Sequence, residues 1–334
     1  MSEMISKSDL RALLEEWIAQ GKRAAGPARI KPDRVLYSTL KSAEDLLLEG
    51  FIHPSNSIKE FVFPRHEILY GYKFKGKGVI LEEMDLQVPE QLILAARPCD
   101  AAALPILDPV FNWDFKDEFY NRRRQATTVV TLACGKYDDY CFCTSVGLGP
   151  AAEKGSDAIL IPLGNDRFEV RTLTNRGKAL FQGKTQTTAE TGTASEGPSV
   201  KFSPGTVAEF LSPHFEDPLW QEQTLRCLGC GACAFTCPTC HCFDIVDEGN
   251  AAGGVRVKNW DACQFPLFTL HASGHNPRTS QPHRQRQRIL HKFLIYPEKF
   301  EEVLCTGCGN CTRNCPASLG VLSVVEAIGQ TVGT

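Results

Sequence analysis

The sequence has 334 residues, of which 43% are hydrophobic and 22% are charged, and its formal net charge is −3. This length suits two domains, and the near-neutral charge argues against a protein that binds nucleic acid through a basic surface. No apolar run reaches the roughly 18 residues that a membrane-spanning helix needs. Met1 to Leu10 is polar and lacks the apolar core of a signal peptide, so we expect a cytoplasmic protein.

The amino-terminal part mixes helical and strand patterns. Ser8 can cap a helix whose apolar residues, from Leu10 to Ile18, recur at helical spacing. Strand-like runs follow, separated by Pro, Gly and Asp; they are Glu60–Phe63, Val79–Leu81, Leu92–Ala95, Thr127–Leu132 and Ala158–Pro162. This part of the sequence therefore predicts a mixed α/β domain.

A segment rich in Thr, Ser and Gly, residues 183–205, predicts a flexible loop or linker. We therefore expect one domain over residues 1–205 and a second over residues 206–334. The second part has few strand signals and shows helical stretches at Arg284–Phe293 and Val321–Ile328. The predicted fold class is α+β, a mixed α/β domain followed by an α-helical ferredoxin-like domain. Neither part contains a G-x-G-x-x-G turn after a strand or a P-loop, so we expect no dinucleotide site of the Rossmann type.

The fifteen cysteines are concentrated in two stretches. Four lie between Cys99 and Cys143, and eleven lie between Cys227 and Cys315. A chain kept in a reducing compartment would not hold this many disulfides, so metal ligation is the better interpretation.

Two copies of the pattern C-x2-C-x2-C-x3-C, each followed by proline, stand in the second stretch. They are Cys227, Cys230, Cys233 and Cys237, and Cys305, Cys308, Cys311 and Cys315. This spacing is that of bacterial ferredoxins, in which three cysteines of a tight loop bind one [4Fe–4S] cluster and the fourth binds the other. Zinc sites usually pair two shorter knuckles and do not need three cysteines in series, and buried free thiols would need no spacing at all.

The ferredoxin pattern predicts how the eight cysteines divide between two clusters. One set is Cys227, Cys230, Cys233 and Cys315, and the other is Cys305, Cys308, Cys311 and Cys237. The 78 residues between the starts of the motifs, Cys227 and Cys305, are more than a compact βαβ ferredoxin needs. With its helical flanks, the last third of the chain resembles the α-helical ferredoxin domain of succinate dehydrogenase and heterodisulfide reductase subunits.

The remaining cysteines form two further groups. Cys99, Cys134, Cys141 and Cys143 follow strand-like runs and predict a third [4Fe–4S] cluster, although four buried thiols would look the same in sequence. Asp100 could replace one of these thiolates. Cys240, Cys242 and Cys263 either help to bind a further cluster, with Asp244, Asp261 or His241, or line the pocket of a cluster and tune its potential, which is the interpretation we favour.

The segment from His271 to Lys292 is unusually basic and lies between the two motifs. Its cations could face solvent, offset the negative charge of the clusters or dock an acidic partner, and the sequence leaves these alternatives open. No Ser/His/Asp or Cys/His nucleophile pattern stands out, so we identify no catalytic residues and expect no catalysis by the chain alone.

Four stretches taken together resemble one family: residues 97–104 (RPCDAAAL), 141–145 (CFCTS), 237–244 (CPTCHCFD) and 271–278 (HASGHNPR). The chain from about Glu60 onward resembles the 4Fe–4S β subunit of cytoplasmic nickel–iron sulfhydrogenases. The same pattern is similar to the iron–sulfur subunit of anaerobic sulfite reductase and to an iron–sulfur subunit of flavin oxidoreductases linked to heterodisulfide reductase.

The resemblance implies an electron carrier between two larger modules. One would be a flavoprotein subunit with FAD and NAD(P)H, and the other a catalytic module, in the first instance the small and large subunits of a nickel–iron hydrogenase. An anaerobic sulfite reductase or a heterodisulfide reductase complex is the alternative assembly. A redox-sensing iron–sulfur protein is the alternative of a different class, although a sensor more often carries one exposed cluster.

Overall fold

The computed structural model describes residues 2–332 and the side chains of residues 2–331. Its strands are β1 (Ser2–Ser6), β2 (Arg23–Lys31), β3 (Arg34–Thr39), β4 (His66–Lys75), β5 (Gly78–Glu83), β6 (Gln91–Ala96), β7 (Thr127–Leu132), β8 (Ala158–Gly164), β9 (Arg167–Thr172), β10 (Gln186–Thr188), β11 (Phe243–Asn250) and β12 (Gly253–Trp260). The α-helices are α1 (Lys7–Ala19), α2 (Pro98–Ala101), α3 (Ala103–Leu107), α4 (Glu118–Ala126), α5 (Asn175–Phe181), α6 (Pro204–Leu211), α7 (Leu219–Glu222), α8 (Ala232–Phe235), α9 (Gln281–Leu290), α10 (Tyr296–Phe300), α11 (Asn310–Arg313) and α12 (Val321–Val332). Short 3-10 helices span Ala43–Asp45, Ile58–Phe61 and Cys143–Val146, and a π-helical turn spans His291–Ile295.

An eight-stranded sheet organises the amino-terminal part, in the order β10-β1-β9-β8-β7-β6-β2-β3. Strands β2, β6, β7 and β8 run parallel, and the flanking strands are antiparallel. Both faces of β6 and β7 are covered, because Leu92 and Val130 pack in one apolar core while Ile93 and Val129 pack in another. A continuous apolar run such as that of β6 is typical of a parallel strand buried on both sides, and the β-branched residues of β7 suit the same position.

A second sheet joins distant parts of the chain. It has the order β11-β12-β4-β5, with every pair antiparallel. The hairpin of β11 and β12 lies in the part predicted to be an α-helical domain, residues 206–334, and it pairs with β4 from the amino-terminal half. The mixed α/β character is therefore confirmed, while the long carboxy-terminal hairpin was not predicted.

Most of the predicted elements of the amino-terminal part are present. The strands predicted at Val79–Leu81, Leu92–Ala95, Thr127–Leu132 and Ala158–Pro162 lie within β5, β6, β7 and β8. The strand predicted at Glu60–Phe63 is wrong, because Ser57 Oγ accepts a hydrogen bond from the Lys59 amide and a 3-10 helix begins there. Helix α1 is capped by Ser6, which accepts from the Asp9 amide, and not by Ser8.

The segment predicted as a linker, residues 183–205, is bound to the first sheet along part of its length. Residues Gln186–Thr188 form β10, and the Ser195 amide donates to the Cys134 carbonyl at 2.9 Å. Helix α6 then packs with α9 and α12 in an apolar core that also includes Phe142. The domain boundary near residue 205 stays a prediction, since the second sheet draws strands from both sides of it.

Candidate metal centres

The first cysteine motif forms a loop after α7 that leads into α8. Cys227, Cys230 and Cys233 line a cavity, and the fourth cysteine on its wall is Cys315. Cys315 comes from the second motif, far along the chain, and Pro316 lies beside it in the same wall. The crossed arrangement expected from the ferredoxin pattern therefore has a counterpart in the geometry of this cavity. Cys230 is the exposed member of the set, so this cavity lies near the protein surface.

The second motif lines a second cavity in the same way. Cys305, Cys308 and Cys311 share its wall with Cys237 of the first motif. All four are buried, with at most 9% of each residue exposed. The second cavity is thus enclosed more deeply than the first, and apolar side chains such as Phe142 and Val321 complete its wall.

Two buried cations stand beside these cavities. Arg288 and Lys292 are four residues apart on the helix of α9 and its π-helical continuation, so they share a face. The Lys292 Nζ lies 3.4 Å from the Cys237 Sγ and donates to the Thr239 Oγ1 and the Leu304 carbonyl. Arg288 donates to the Cys233 carbonyl, but its Nε and Nη1 have no hydrogen-bond partner among the described residues.

These cations fit a site that holds anionic clusters. Burying a charge is costly unless an opposite charge or hydrogen bonds compensate it. Burial lowers the pKa of Lys292, but the neighbouring thiolates of Cys237, Cys240 and Cys305 outweigh it and raise the pKa overall. Thiolate ligands around an iron–sulfur core would supply negative charge beside Lys292 and acceptors for the free nitrogens of Arg288.

Replacing Lys292 by methionine should lower the reduction potential of the centre in the second cavity. A unit charge about 6 Å away in a medium of effective dielectric constant about 20 contributes about 3 kcal/mol, or roughly 120 mV for one electron. The cation stabilises the more negative, reduced state, so its loss makes reduction harder. A potentiometric titration followed by electron paramagnetic resonance measures the shift. The exposed Lys299→Met variant is the matched control, and an unchanged potential in Lys292→Met would contradict this role.

The amino-terminal cysteines gather at the carboxyl edge of the first sheet. Cys99 follows β6, Cys134 follows β7, Cys141 lies in the loop after Cys134, and Cys143 begins the 3-10 helix that follows this loop. Burial, with the nearby Cys134 and Cys141 thiols, raises the pKa of Cys143 to about 12. Because the carboxyl ends of adjacent parallel strands meet at one edge, the fold brings these cysteines together from separate segments.

The amino-terminal cysteine group lies directly against the second cavity. The Phe142 amide donates to the Gly307 carbonyl at 2.9 Å. Arg313 of α11 reaches across, because its Nη2 lies 3.0 Å from the Cys141 Sγ and its Nη1 donates to the Cys308 carbonyl at 2.6 Å. Asp138 holds the same guanidinium through two bonds of 2.7 Å. Asp100 accepts from the Tyr37 hydroxyl through its Oδ2 at 2.8 Å, while its buried Oδ1 has no hydrogen-bond partner among the described residues, so its replacement of a thiolate stays a prediction.

Of the three surplus cysteines of the second stretch, Cys240 pairs with Cys237 of the first motif, and Cys242 pairs with Cys263. Hydrogen bonding with Cys240 lowers the pKa of Cys237, and hydrogen bonding with Cys263 raises the pKa of Cys242. Cys240 is absent from the wall of the second cavity, whereas Cys237 lies on it. Burial lowers the pKa of His241 to about 4, so its imidazole is neutral at pH 7. This placement fits a role in tuning the neighbouring centre, and that role stays a prediction.

The basic segment is divided between interior and surface. Arg284, Arg286, Arg288 and Lys292 are buried, while His271 and His275 are exposed. The buried cations agree with the alternative in which the segment offsets cluster charge. A further buried cation, Lys59, was not predicted from the sequence; it donates to the Cys240 carbonyl at 2.7 Å and lies 4.1 Å from the Trp260 ring. No sequence signal marks it, because its site is assembled by packing between distant segments.

Within the part of the chain that the structure describes, no three His, Cys, Asp or Glu side chains converge as ligands of a single metal ion would. The described residues also include no helix that is long and apolar enough to cross a membrane. Cytoplasmic localisation stays a prediction.

Comparison with known proteins defines the class of protein to which this site belongs. The 4Fe–4S dicluster domain family matches residues 226–319, which include both cysteine motifs. This part of the chain is therefore a 4Fe–4S dicluster domain, and the protein is of the iron–sulfur class. The search of solved structures found no significant match.

One curated relative carries the comparison further. Subunit beta of sulfhydrogenase 2 from Pyrococcus furiosus is 30% identical to this chain over 252 residues, which cover 72% of this chain and 74% of the relative. The chain belongs to the family of sulfhydrogenase β subunits, and it is an electron-transfer iron–sulfur subunit of this hydrogenase type. The resemblance derived from its sequence motifs is confirmed.

Proposed function

We propose that this chain relays single electrons between an FAD-containing flavoprotein subunit that uses NAD(P)H and a nickel–iron hydrogenase module. The observation that carries the proposal is the continuity of three cysteine groups, with the first cavity near the surface, the second buried, and the amino-terminal group in contact with the second. A [4Fe–4S] cluster exchanges one electron at a time, so adjacent clusters make a path for single electrons.

The residues of each group have a definite role in this proposal. Cys227, Cys230, Cys233 and Cys315 hold one cluster; Cys305, Cys308, Cys311 and Cys237 hold a second; Cys99, Cys134, Cys141 and Cys143 hold a third. Arg288 and Lys292 offset the charge of the first two. Arg313 binds Cys141 and the loop of Cys308 at once, and so fixes the third group against the second.

The chemistry at the two ends of this path requires one partner module at each end. NAD(P)H delivers a hydride, which carries two electrons, whereas a cluster takes one. A flavin can accept a hydride and release electrons singly, and the chain has no glycine-rich dinucleotide turn, so FAD and NAD(P)H belong on a partner subunit. The hydrogenase centre belongs on the small and large subunits of the other module.

Iron analysis of anaerobically purified protein tests the three-centre proposal. We expect about 12 iron and about 12 acid-labile sulfide atoms per chain, as three cubanes require. The double variant Cys134→Ala/Cys141→Ala should retain about 8 of each and lose one paramagnetic signal. A wild-type chain with about 8 iron, and no change in the double variant, would show that the amino-terminal cysteines are buried thiols. The variant Cys263→Ala, which removes a thiol outside the proposed ligand sets, is the control and should keep the full iron content.

A further inference from the structure

A large cavity lies apart from the two described above, beside the amino-terminal sheet. Its volume is about 650 Å³, and its wall includes Leu132 and Ala133 at the end of β7 and Pro162 of β8. Arg97, immediately after β6, and the loop of residues 48–52 complete one side. The volume is that of a small-molecule site, and α/β proteins commonly bind ligands outside the carboxyl ends of their parallel strands.

Arg97 is an unusual component of this wall. Only 5% of it is exposed, and its side chain donates to the backbone carbonyls of Ile52 and Phe51, each at 2.9 Å. Among the described residues, no carboxylate lies within 4.0 Å of its guanidinium. Two other cations of the wall, Lys7 and Arg167, are half-buried and form ion pairs with carboxylates. Lys7 pairs with Glu49 and Asp166, and Arg167 pairs with Glu190.

The rest of the wall sets the kind of molecule that would fit. Much of it is apolar, with Leu48, Phe51, Ile52 and Phe168 around the space. Lys136 adds a second cation without an ion-pair partner among the described residues, and it is exposed at the rim. The forked guanidinium of arginine matches the geometry of carboxylates and phosphates.

We propose that this cavity binds a small molecule with a carboxylate or phosphate group on an apolar body, and that Arg97 is its anion-binding residue. The loop of Phe51 and Ile52 orients the guanidinium, and the 4.4 Å contact with the Phe51 ring fixes its plane. Arg97 also faces the Cys134 thiol, whose pKa burial raises and the charge of Arg97 lowers, and the anion supplies the charged oxygen partner that no described carboxylate provides.

The cavity lies beside the amino-terminal cysteine group, so a bound ligand would affect the path of the electrons. Ala133 lines the cavity and Cys134 is the next residue, while Arg97 is two residues before Cys99. A bound anion therefore adds negative charge beside the amino-terminal cysteine group and should lower the potential of a cluster held there. This consequence rests on the proposed third cluster, whereas ligand binding itself does not.

Calorimetry on the full, iron-loaded chain tests the binding. The probes are two matched pairs, adenosine 5′-monophosphate with adenosine, and 1-naphthoate with 1-naphthamide, so that a phosphate and a carboxylate are each compared with a neutral counterpart. At least one anion should bind, and at least tenfold more tightly than its neutral partner. Arg97→Gln should weaken that binding by about tenfold to a hundredfold, as the loss of hydrogen bonds to a charged group does. Arg167→Gln removes the same charge from the same wall at a guanidinium already bound by Glu190, and should change the affinity less than threefold.

Three results would overturn the proposal: no binding of either anion at 1 mM, equal binding of anion and neutral partner, or equal losses in the two variants. If Arg97→Gln also loses iron, a structure of the wild-type chain soaked with adenosine 5′-monophosphate decides the matter. The phosphate should lie within hydrogen-bond distance of Arg97, and a phosphate bound elsewhere would contradict the site. The coupling is tested separately by the potential of the amino-terminal centre with and without the anion, so failure of the third cluster and failure of the binding site give different results.

Discussion

Replacing Cys315 by alanine is expected to remove the cluster of the first cavity, although Cys315 belongs to the second motif. Its thiol lines the wall with Cys227, Cys230 and Cys233, and not with Cys305, Cys308 and Cys311 of its own motif. Loss of one of four thiolates should cost most of the ~4 iron atoms of that centre while the buried second centre keeps its signal. Iron analysis and electron paramagnetic resonance of the reduced protein measure both.

The reciprocal variant is the control for this prediction. Cys237 belongs to the first motif but lines the second cavity, so Cys237→Ala should remove the other signal. If each variant instead damaged the centre of its own motif, the crossed assignment would be wrong. The two variants serve as controls for each other, because the crossed assignment predicts that each removes the centre that the other leaves intact.

Replacing Gly307 by alanine is expected to disrupt the second centre and the amino-terminal group together. Gly307 has a φ of +65°, and a Cβ atom there would lie 2.5 Å from the Cys143 amide nitrogen and from the Phe142 carbonyl carbon. Both are backbone atoms and cannot move aside as a side-chain end can. Strain at a positive φ and overpacking each cost about 1–3 kcal/mol, so the free energy of unfolding should fall by about 2–6 kcal/mol.

Gly274 provides a matched control for the backbone strain alone. Its φ is +82°, but a Cβ atom there would meet nothing within 4 Å. Gly274→Ala should therefore cost only about 1–3 kcal/mol and leave the iron content unchanged. Denaturant unfolding with parallel iron analysis separates the two effects. Equal losses of stability and iron in both variants would show that the contact between Gly307 and the Cys143 loop is unimportant.

The sequence was most informative where chemistry fixes spacing. The two C-x2-C-x2-C-x3-C motifs predict a dicluster protein because a tight loop can present three thiols to one cluster only at that spacing, and the family comparison agrees. Strands β6 and β7 were predicted equally well, because the apolar run of β6 and the β-branched residues of β7 are typical of strands buried on both faces. The family itself followed from four short stretches, three of which contain cysteines.

Features that depend on contacts between distant segments could not be predicted from the sequence. Lys59 and Arg313 look like ordinary surface residues in sequence, yet each is fixed by partners more than 170 positions away. The hairpin of β11 and β12 carries many charged and exposed residues, and it is stabilised by pairing with β4 and not by an apolar pattern of its own. The strand predicted at Glu60–Phe63 failed because a local cap at Ser57 outweighed the β propensity of the aromatic residues.

The proposed relay requires that this chain carries electrons and does not itself take hydride from NAD(P)H. The most direct test mixes the anaerobic, iron-loaded chain with NADH or NADPH and follows the visible absorbance of the clusters. We expect no bleaching with either nucleotide alone, and rapid bleaching once the cognate flavoprotein with its FAD is added in catalytic amounts. Rapid bleaching without any added flavoprotein, together with stoichiometric flavin bound to this chain, would contradict the relay and identify the chain as a reductase in its own right.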